Sequence, residues 1–409
     1  MKKSVLKKYA KLIVRVGGNV QKGQDVELLI GVEQELLATY IVEECYKAGA
    51  RKVNVRWQSD KTAKVAYKKA TVKALSTMEN YEIERQRYLS EKLPVMIYIE
   101  SSDPDAMKGV NQAKIAKVSQ NVYPIIKPFR KMRENKYQWI IAGAASPEWA
   151  KKVFPDLPKK KAVEALWDAI IKTSRCDNDD PIKAWKEHND DLKKRTAKLN
   201  SLNLDYLHYT SKNGTDFKVW LLPNVNWLAG GEEALGSNIF YNPNIPSEEA
   251  FTTPCKGKAE GIVYSTKPLS YMGELIEDFS VRFENGKAVE VKARKGEELL
   301  KQMIKMDENA CYLGECALVP FDSPINNTGI LFFNTLYDEN AACHLALGRG
   351  FTNLVKDYHK YTEEELIKMG INDSQIHVDF MIGSKDLSIV GYTRDGKKVQ
   401  IFKDGNWAF

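Results

Sequence analysis

The pattern of hydrophobic and polar positions predicts two differently built halves. The first half alternates short apolar runs with helical stretches such as Gln34 to Ala48. The apolar runs lie at Val26 to Ile30, Lys52 to Trp57, Leu93 to Ile99 and Gln138 to Ala142. Strand–helix alternation of this kind is typical of a mostly parallel sheet covered by helices. No glycine-rich nucleotide-binding loop follows any of these runs, so the pattern does not indicate a nucleotide site.

The second half has short strands separated by turn residues. Turn signals occur at Asn213-Gly214, Asn285-Gly286, Asp395-Gly396 and Asp404-Gly405. They predict hairpins, hence a mainly antiparallel sheet with a few helices. One helix is expected from Glu297 to Met306, and another is expected to contain Asn340 to Leu347.

The chain therefore divides into two predicted domains. A charged turn at residues 177–181 precedes a helix, about Ile182 to Leu199, that leads out of the first domain. We predict an α/β domain with a mostly parallel sheet over residues 1–200. Residues 201–409 are predicted to form an α+β domain rich in antiparallel strands.

Charge separates the same two halves. The net charge is +7, but residues 1–200 carry 40 Lys and Arg against 25 Asp and Glu, and residues 201–409 carry 21 against 29. A basic half is also found in nucleic-acid-binding proteins. Here the lysines are spread along helical stretches, without the aromatic strand motif of an RNA-binding sheet, so no nucleic-acid partner is predicted. An acidic half suits a site for divalent cations and an ammonium group.

Composition also bears on the compartment. No run approaches the ~20 apolar residues of a membrane span, and the N-terminus lacks a signal-peptide core. The six cysteines have no Cys-x-x-Cys spacing, which favours reduced thiols over disulfides or a zinc knuckle. A cytoplasmic protein without a membrane partner is predicted.

The first candidate site residues are histidines in apolar surroundings. His377 and Asp379 are two residues apart in Ile376-His377-Val378-Asp379-Phe380, so on a strand both side chains point to one face and could bind one cation. His344, another of only five histidines, lies among small and apolar residues. A hydrogen-bonded pair is the simpler interpretation of His-x-Asp, and spacing alone does not exclude it.

Carboxylates in unusual settings are the second group of candidates. Glu315 lies in the small, apolar run Gly314-Glu315-Cys316-Ala317-Leu318, where an ionised carboxylate needs a cation, a basic side chain or a proton. A core salt bridge is the alternative. Glu248 and Glu249 begin another short strand, and the residues alone do not decide which of the two faces inward.

Four motifs together resemble a known family. NIPSEEAFTTP, LGECALVP, NTLYDENAACHLALG and IHVDFMIGS occur in this order and are similar to the aminopeptidase T/S/II family of bimetallic metallo-aminopeptidases. The similarity begins at YAKLIVRVGGNVQKGQDVELLI and covers essentially the whole chain.

The resemblance implies an exopeptidase that removes the N-terminal residue of short peptides through a water held by a dinuclear metal site. The catalytic site would lie in the C-terminal domain. The implied metal ligands are Glu249, Glu315, His344, His377 and Asp379, with Glu315 also as catalytic base or proton shuttle. Such a ligand set suits two divalent ions of zinc, cobalt or manganese. The resemblance further implies a homodimer and peptide substrates with a free N-terminus.

One position departs from the family pattern. The family has a tyrosine seven residues after the first histidine, thought to stabilise the oxyanion, whereas this chain has Phe351. Loss of one oxyanion donor commonly costs ~10²–10³ in rate. The enzyme could be slow, could use Tyr337, Tyr358 or a metal instead, or could belong to a subgroup that does not need the phenol. An inactive peptide- or metal-binding protein and a metal-dependent hydrolase of another amide are the alternatives.

Overall fold

The computed structural model describes all 409 residues. Twelve α-helices and twenty-one β-strands are labelled in chain order. The helices are α1 (Lys3–Leu12), α2 (Glu35–Lys47), α3 (Asp60–Lys69), α4 (Val72–Ser76), α5 (Asn80–Lys92), α6 (Gln112–Arg133), α7 (Pro147–Val153), α8 (Lys159–Thr173), α9 (Pro181–Ser201), α10 (Glu297–Met303), α11 (Thr335–Glu339) and α12 (Glu363–Met369). The strands are β1 (Asp25–Gly31), β2 (Lys52–Gln58), β3 (Val95–Glu100), β4 (Trp139–Gly143), β5 (Leu204–Thr210), β6 (Asp216–Leu221), β7 (Leu228–Ala229), β8 (Glu232–Glu233), β9 (Phe240–Tyr241), β10 (Asn244–Ile245), β11 (Ala250–Thr252), β12 (Pro254–Tyr264), β13 (Leu269–Tyr271), β14 (Glu274–Glu284), β15 (Lys287–Lys295), β16 (Leu313–Leu318), β17 (His344–Gly348), β18 (His377–Met381), β19 (Ser388–Thr393), β20 (Lys398–Lys403) and β21 (Asn406–Trp407).

The chain forms two compact units. Unit 1 comprises Met1–Lys186 and Gly231–Pro246, and unit 2 comprises Glu187–Gly230 and Ser247–Phe409. The boundary predicted at residue 200 lies within α9, whereas the units change between residues 186 and 187. The second segment of unit 1 was not predicted. That segment carries β10, which adds to the sheet beside β4, and such a pairing between distant segments leaves no local pattern.

Unit 1 contains the predicted parallel sheet. Its strand order is β10-β4-β3-β1-β2, and all pairings are parallel. Its central strands are apolar because helices cover both faces, as Val26, Leu28 and Ile30 of β1 are fully buried. Asp25 and Glu27 interrupt this run, and they are paired with Arg51 and Arg85. The fold-class prediction for this half is confirmed.

Unit 2 contains two mainly antiparallel sheets. A nine-stranded sheet runs β13-β14-β12-β6-β5-β19-β20-β21, with β15 paired to β14. A five-stranded sheet has the order β18-β17-β16-β11-β7. One face of the smaller sheet contributes Cys316, Leu345 and Phe380 to the apolar core shared with the larger sheet. All four turns named above connect hairpins, at β5–β6, β14–β15, β19–β20 and β20–β21, which confirms the antiparallel prediction.

The helix predicted over Asn340 to Leu347 is wrong. The helix α11 ends at Glu339, and β17 follows from His344 to Gly348. Every residue of β17 is buried, and the strand pairs with β16 on one side and β18 on the other. An apolar run buried on both faces lacks the alternation that distinguishes a strand from a buried helix. The segment His344–Gly348 forms a strand because β16 and β18 satisfy its backbone hydrogen-bonding groups.

None of the helices described combines the length and the apolar composition that crossing a membrane requires.

Candidate metal centre

Sheet register brings the predicted residues to one face of the five-stranded sheet. Glu315 of β16 and Asp379 of β18 both pair with Ala346, which lies between them on β17. Cross-strand partners share a face, and so do residues two apart along a strand. His344, two residues before Ala346, and His377, two before Asp379, therefore point to that face as well.

Small residues leave room above this face. The fully buried Ala346 separates the Glu315 and Asp379 side chains, and Gly348 is the partner of His377. Gly348 has a φ of +106°, and a Cβ there would lie 2.1 Å from the carbonyl oxygen of Ile376. A larger residue at Ala346 would enter the space between the Glu315 and Asp379 side chains, and any side chain at Gly348 would collide with the backbone of Ile376.

The structure separates the two adjacent glutamates. Ala250 pairs with Leu318, so Glu249 shares the face of Glu315, and Glu248 points the other way. Glu249 Oε2 lies 3.2 Å from Nε2 of His344. Glu248 Oε2 instead lies 3.7 Å from Nε2 of His188. Geometry thus brings Glu249, and not Glu248, into the cluster.

The predicted residues form two groups of three that share Glu315. One group is Glu249, Glu315 and His344, and the other is Glu315, His377 and Asp379. In each group the candidate ligand atoms lie within 4.8 Å of one another. In the second group, His377 Nε2 lies 3.1 Å from Glu315 Oε2 and 3.3 Å from Asp379 Oδ1. Glu315 is thus the one carboxylate that both groups share.

Both imidazoles are oriented by the backbone. Nδ1 of His377 lies 2.7 Å from the carbonyl oxygen of Arg349, and Nδ1 of His344 lies 3.2 Å from that of Ala342. A carbonyl accepts only, so Nδ1 carries the proton in each case. Nε2 is then directed at the carboxylates, which is how metal-ligating histidines are commonly held.

Crowded, buried carboxylates dominate the electrostatics. Burial raises the pKa of Glu315 to about 7, against the effect of His377, with help from the charges of Glu249 and Asp379. Burial alone would lower the pKa of His344, but Glu249 beside it raises that pKa to about 10. Asp379 and Glu315 likewise hold the pKa of His377 well above its usual value, although burial opposes them. The cluster thus attracts positive charge.

Glu339 is a further candidate site residue that was not predicted from the sequence. It is the last residue of α11, and its pKa is held well above the usual range by burial and by the charges of Asp379 and Glu249. The motif NTLYDENAACHLALG contains it, five positions before His344. A carboxylate between Asp338 and Asn340 looks like an ordinary polar helix end, so only the position of α11 beside the sheet identifies it.

An open pocket and two aromatic rings adjoin the cluster. The pocket is small and open, and it reaches both Asp379 and Glu339. Its other lining residues are Pro268, Leu269, Ser270, Asn334, Thr335, Asp338 and Met381. The Phe351 ring lies 5.0 Å from the His377 ring and 5.6 Å from the Phe251 ring. The candidate ligands therefore border an open pocket and two aromatic rings.

The donor set fits a divalent metal. It offers carboxylate oxygens and imidazole nitrogens and no thiolate, which suits zinc, cobalt or manganese. Asp379 Oδ1 is buried and accepts no hydrogen bond, although it lies 3.3 Å from Nε2 of His377. A buried carboxylate oxygen without a hydrogen bond is costly unless a cation neutralises it. Fold and site together define a metal-dependent enzyme class.

Comparison with known proteins identifies the family. The family model described as thermophilic metalloprotease (M29) matches residues 2–407. Aminopeptidase AmpS of Bacillus subtilis (strain 168) is 42% identical over 405 residues, covering 99% of this chain and 98% of AmpS. Aminopeptidase PepS of Streptococcus thermophilus is 43% identical over 408 residues, covering 99% and 98%. The solved structure of wild-type AmpT from Thermus thermophilus superposes with a TM-score of 0.90 at 36% identity, covering all of both chains.

The chain belongs to the thermophilic metalloprotease (M29) family. The resemblance drawn from four motifs is confirmed. Membership implies a hydrolase with a divalent metal cofactor, and the acidic and histidine cluster is the group of side chains suited to bind it.

Proposed function

We propose that this protein is a metallo-aminopeptidase that hydrolyses the N-terminal residue from short peptides at the candidate metal centre. The observation that carries the proposal is the convergence of Glu249, Glu315, His344, His377 and Asp379 on one sheet face, in two groups sharing Glu315. The full-length similarity to proteins named aminopeptidases supports it. No observation favours an inactive binding protein or a hydrolase of another amide.

The proposed ligands divide between two divalent ions of zinc, cobalt or manganese. Glu249 and His344 would hold one ion, His377 and Asp379 the other, and Glu315 would contact both. Glu339 is proposed as a further oxygen donor, because it lies within the electrostatic reach of the other carboxylates. Bound divalent cations act as Lewis acids and make water nucleophilic near neutral pH.

Glu315 is the proposed catalytic base. It would accept the proton of the attacking water and return it to the leaving amine, since its carboxylate belongs to both groups of candidate ligands. The remaining acidic groups favour a positively charged α-amine at this face, which accounts for selectivity toward a free N-terminus.

Peptide hydrolysis under metal control tests the proposal. Amino-acid release from short peptides and aminoacyl anilides is compared for purified, chelated and metal-resupplied protein, with N-acetylated peptides as the matched control. We expect activity that disappears with chelator, returns with zinc, cobalt or manganese, and requires a free N-terminus. A folded protein that holds about two metals but releases nothing would overturn the proposal.

Metal binding is expected to be strongly pH dependent. In metal-free protein at pH 7, both ligand imidazoles are positively charged, with a proton on each nitrogen. The reason is that their pKa values are raised, that of His344 to about 10. Binding requires neutral imidazoles, so protons are released and apparent affinity falls as pH falls. The expected loss is ~10-fold per pH unit for each imidazole that must release a proton, and calorimetry in buffers of different ionisation enthalpy counts the protons released. A pH-independent affinity would contradict the ligand assignment.

The adjacent glutamates provide a matched pair. Glu249→Gln is expected to weaken metal binding by at least ~10²-fold, because it removes a charged oxygen donor next to His344. Glu248→Gln is expected to keep metal affinity within about threefold, since that side chain points to the other face. Metal titration of both variants decides the matter. Equal losses of metal affinity in the two variants would show that the sheet face to which each glutamate points does not decide metal binding.

Phe351 offers a test of the missing phenol. Phe351→Tyr is expected to raise kcat by roughly tenfold with KM little changed, because the added hydroxyl can donate a hydrogen bond beside His377. Phe251→Tyr serves as control, since that ring contacts Phe351 on the side of β11. An unchanged kcat would mean that the oxyanion is stabilised without a phenol here.

Two further proposals concern setting and assembly. We propose a cytoplasmic enzyme, supported by six cysteines that are all free in the structure, five of them buried. We also propose a homodimer, as the family resemblance implies. Mass measurement of the purified protein and fractionation of cells test these two proposals separately.

A further inference from the structure

Two of the proposed ligands lie outside the paired strands that hold the others. Glu249 comes one residue before β11, and Glu339 is the last residue of α11. The remaining ligands belong to strands β16, β17 and β18, which pair in that order. A ligand keeps its position only when neighbouring groups fix its backbone and side chain. Contacts other than the strand ladder therefore have to hold Glu249 and Glu339.

The peptide group between Ser247 and Glu248, just before Glu249, is bound at both ends by side chains. Nε2 of His188 lies 2.7 Å from the carbonyl oxygen of Ser247. A carbonyl only accepts, so the imidazole donates this hydrogen bond. At the other end, the Glu248 N–H donates to Oδ1 of Asn340, 2.7 Å away. His188 belongs to α9 and Asn340 follows α11, so two separate elements converge on one peptide group.

The side chain of Asn340 also contacts Glu339. Its Nδ2 donates to the Leu336 carbonyl oxygen at 2.9 Å and to Oε1 of Glu339 at 3.3 Å. A backbone N–H only donates, so Oδ1 faces Glu248 and Nδ2 faces the two acceptors. Asn340 is completely buried, which makes these hydrogen bonds costly to lose. One side chain thus connects the Glu339 carboxylate to the backbone that carries Glu249.

We propose that Asn340 and His188 are positioning residues of the metal centre. By binding both ends of this peptide group, they fix the backbone from which the Glu249 carboxylate reaches Nε2 of His344, 3.2 Å away. Asn340 orients Glu339 in addition. Neither positioning residue belongs to the two groups of candidate ligands. The inference rests on the proposed function, since it requires that Glu249 binds metal.

Cobalt binding by variants of His188 tests the first contact. His188→Ala is expected to bind one of two cobalt ions ~10–100-fold more weakly, the usual cost of removing a partner that orients a ligand. His188→Gln is expected to recover most of this affinity, because its amide N–H can donate to the same carbonyl oxygen. Metal-free full-length protein is titrated with cobalt chloride, and the visible absorption of the bound ion reports its coordination geometry. The spectrum is expected to change in His188→Ala and to return toward that of the wild type in His188→Gln.

Asn340→Ala tests the second contact and the connection between the two. It is expected to weaken binding of the same cobalt ion ~10–100-fold and to change its spectrum. The double variant His188→Ala with Asn340→Ala should lose less affinity than the product of the two single losses, since each substitution already frees the same peptide group. Losses that multiply would refute the shared peptide group as the cause.

Two substitutions elsewhere are controls matched by residue type. His208→Ala removes an imidazole that lies 2.6 Å from Asp216 on the larger sheet. Asn54→Ala removes an amide that donates to Glu27, 2.8 Å away in unit 1. Both variants are expected to keep the cobalt affinity and the spectrum of the wild type. Thermal unfolding of every variant without metal measures the loss of stability separately.

The outcomes distinguish this inference from the proposed function. A wild type that binds no cobalt would overturn the metal centre itself. If the wild type binds two cobalt ions and both alanine variants keep its affinity and spectrum, Glu249 is positioned without these residues and the inference fails. Equal losses in the two controls, or no recovery in His188→Gln, would show a general loss of structure and would also refute the positioning role. Peptidase activity is measured on the same samples, and an inactive wild type with normal cobalt binding contradicts only the proposed catalysis.

Discussion

Replacing Glu315 by Gln is expected to reduce kcat by at least ~10³-fold, equivalent to about 4 kcal/mol of transition-state stabilisation. The amide is nearly the same size as the carboxylate but cannot accept the proton of water, and it is a weaker metal ligand. Glu315 belongs to both groups of candidate ligands, so a single substitution affects both halves of the proposed site. No other residue of the cluster has that position.

The Glu315→Gln measurement needs to separate chemistry from folding. The carboxylate is buried and its pKa is raised, so the neutral amide removes a charge that the fold tolerates poorly. Thermal unfolding of the metal-free variant should therefore occur at or slightly above the wild-type temperature. Glu27→Gln is a matched control, because Glu27 is a buried glutamate of unit 1 outside the ligand groups. Turnover by Glu315→Gln at the wild-type rate would refute the assignment of the catalytic base.

Replacing His377 by Ala is expected to remove one of two bound metals and to reduce activity at least ~10³-fold. Nε2 of His377 lies close to both Glu315 and Asp379, while Nδ1 is oriented by a carbonyl group. The substitution removes the only imidazole of the second group and leaves the carboxylates of Glu315 and Asp379 next to each other. Metal content per chain, by elemental analysis after dialysis, gives the direct readout.

The surface histidine His208 is the matched control for His377. Its Nε2 lies 2.6 Å from Asp216 Oδ1, in an imidazole–carboxylate pair on the larger sheet. His208→Ala should keep the metal content and activity of the wild type. If His377→Ala retained two metals with normal affinity, the His-x-Asp motif would be an ordinary hydrogen-bonded pair, and the second metal would have to lie elsewhere.

Local patterns in the sequence were sufficient for the general architecture. Apolar runs separated by helices predict a parallel sheet because crossover helices cover both faces, and β1 to β4 follow that pattern. Asn-Gly and Asp-Gly pairs predict hairpins because these residues accept positive φ, as Asn285 and Gly286 do. The exchange of segment 231–246 into unit 1 had no such local signal.

Local sequence patterns also predicted part of the candidate site. His377 and Asp379 could be placed on one face because strand alternation is a local property. His344 was assigned to a helix instead of a strand. Because β17 is buried on both faces, its sequence does not alternate between apolar and polar residues. Glu248 and Glu249 were ambiguous until β11 paired with β16. Glu339 was not predicted because its position in the site depends on α11 packing beside strand β18, which lies about 40 residues later in the chain.

The sequence by itself determined the family, the α/β and antiparallel halves, and the chemical identity of five candidate ligands. These properties are encoded by residue types in order along the chain. Tertiary structure decided that the five converge in two groups sharing Glu315, that Glu249 rather than Glu248 joins them, and that Glu339 lies nearby. Convergence depends on cross-strand register among segments up to about 130 residues apart, and the free energy of burying two sheets against each other is what sets that register.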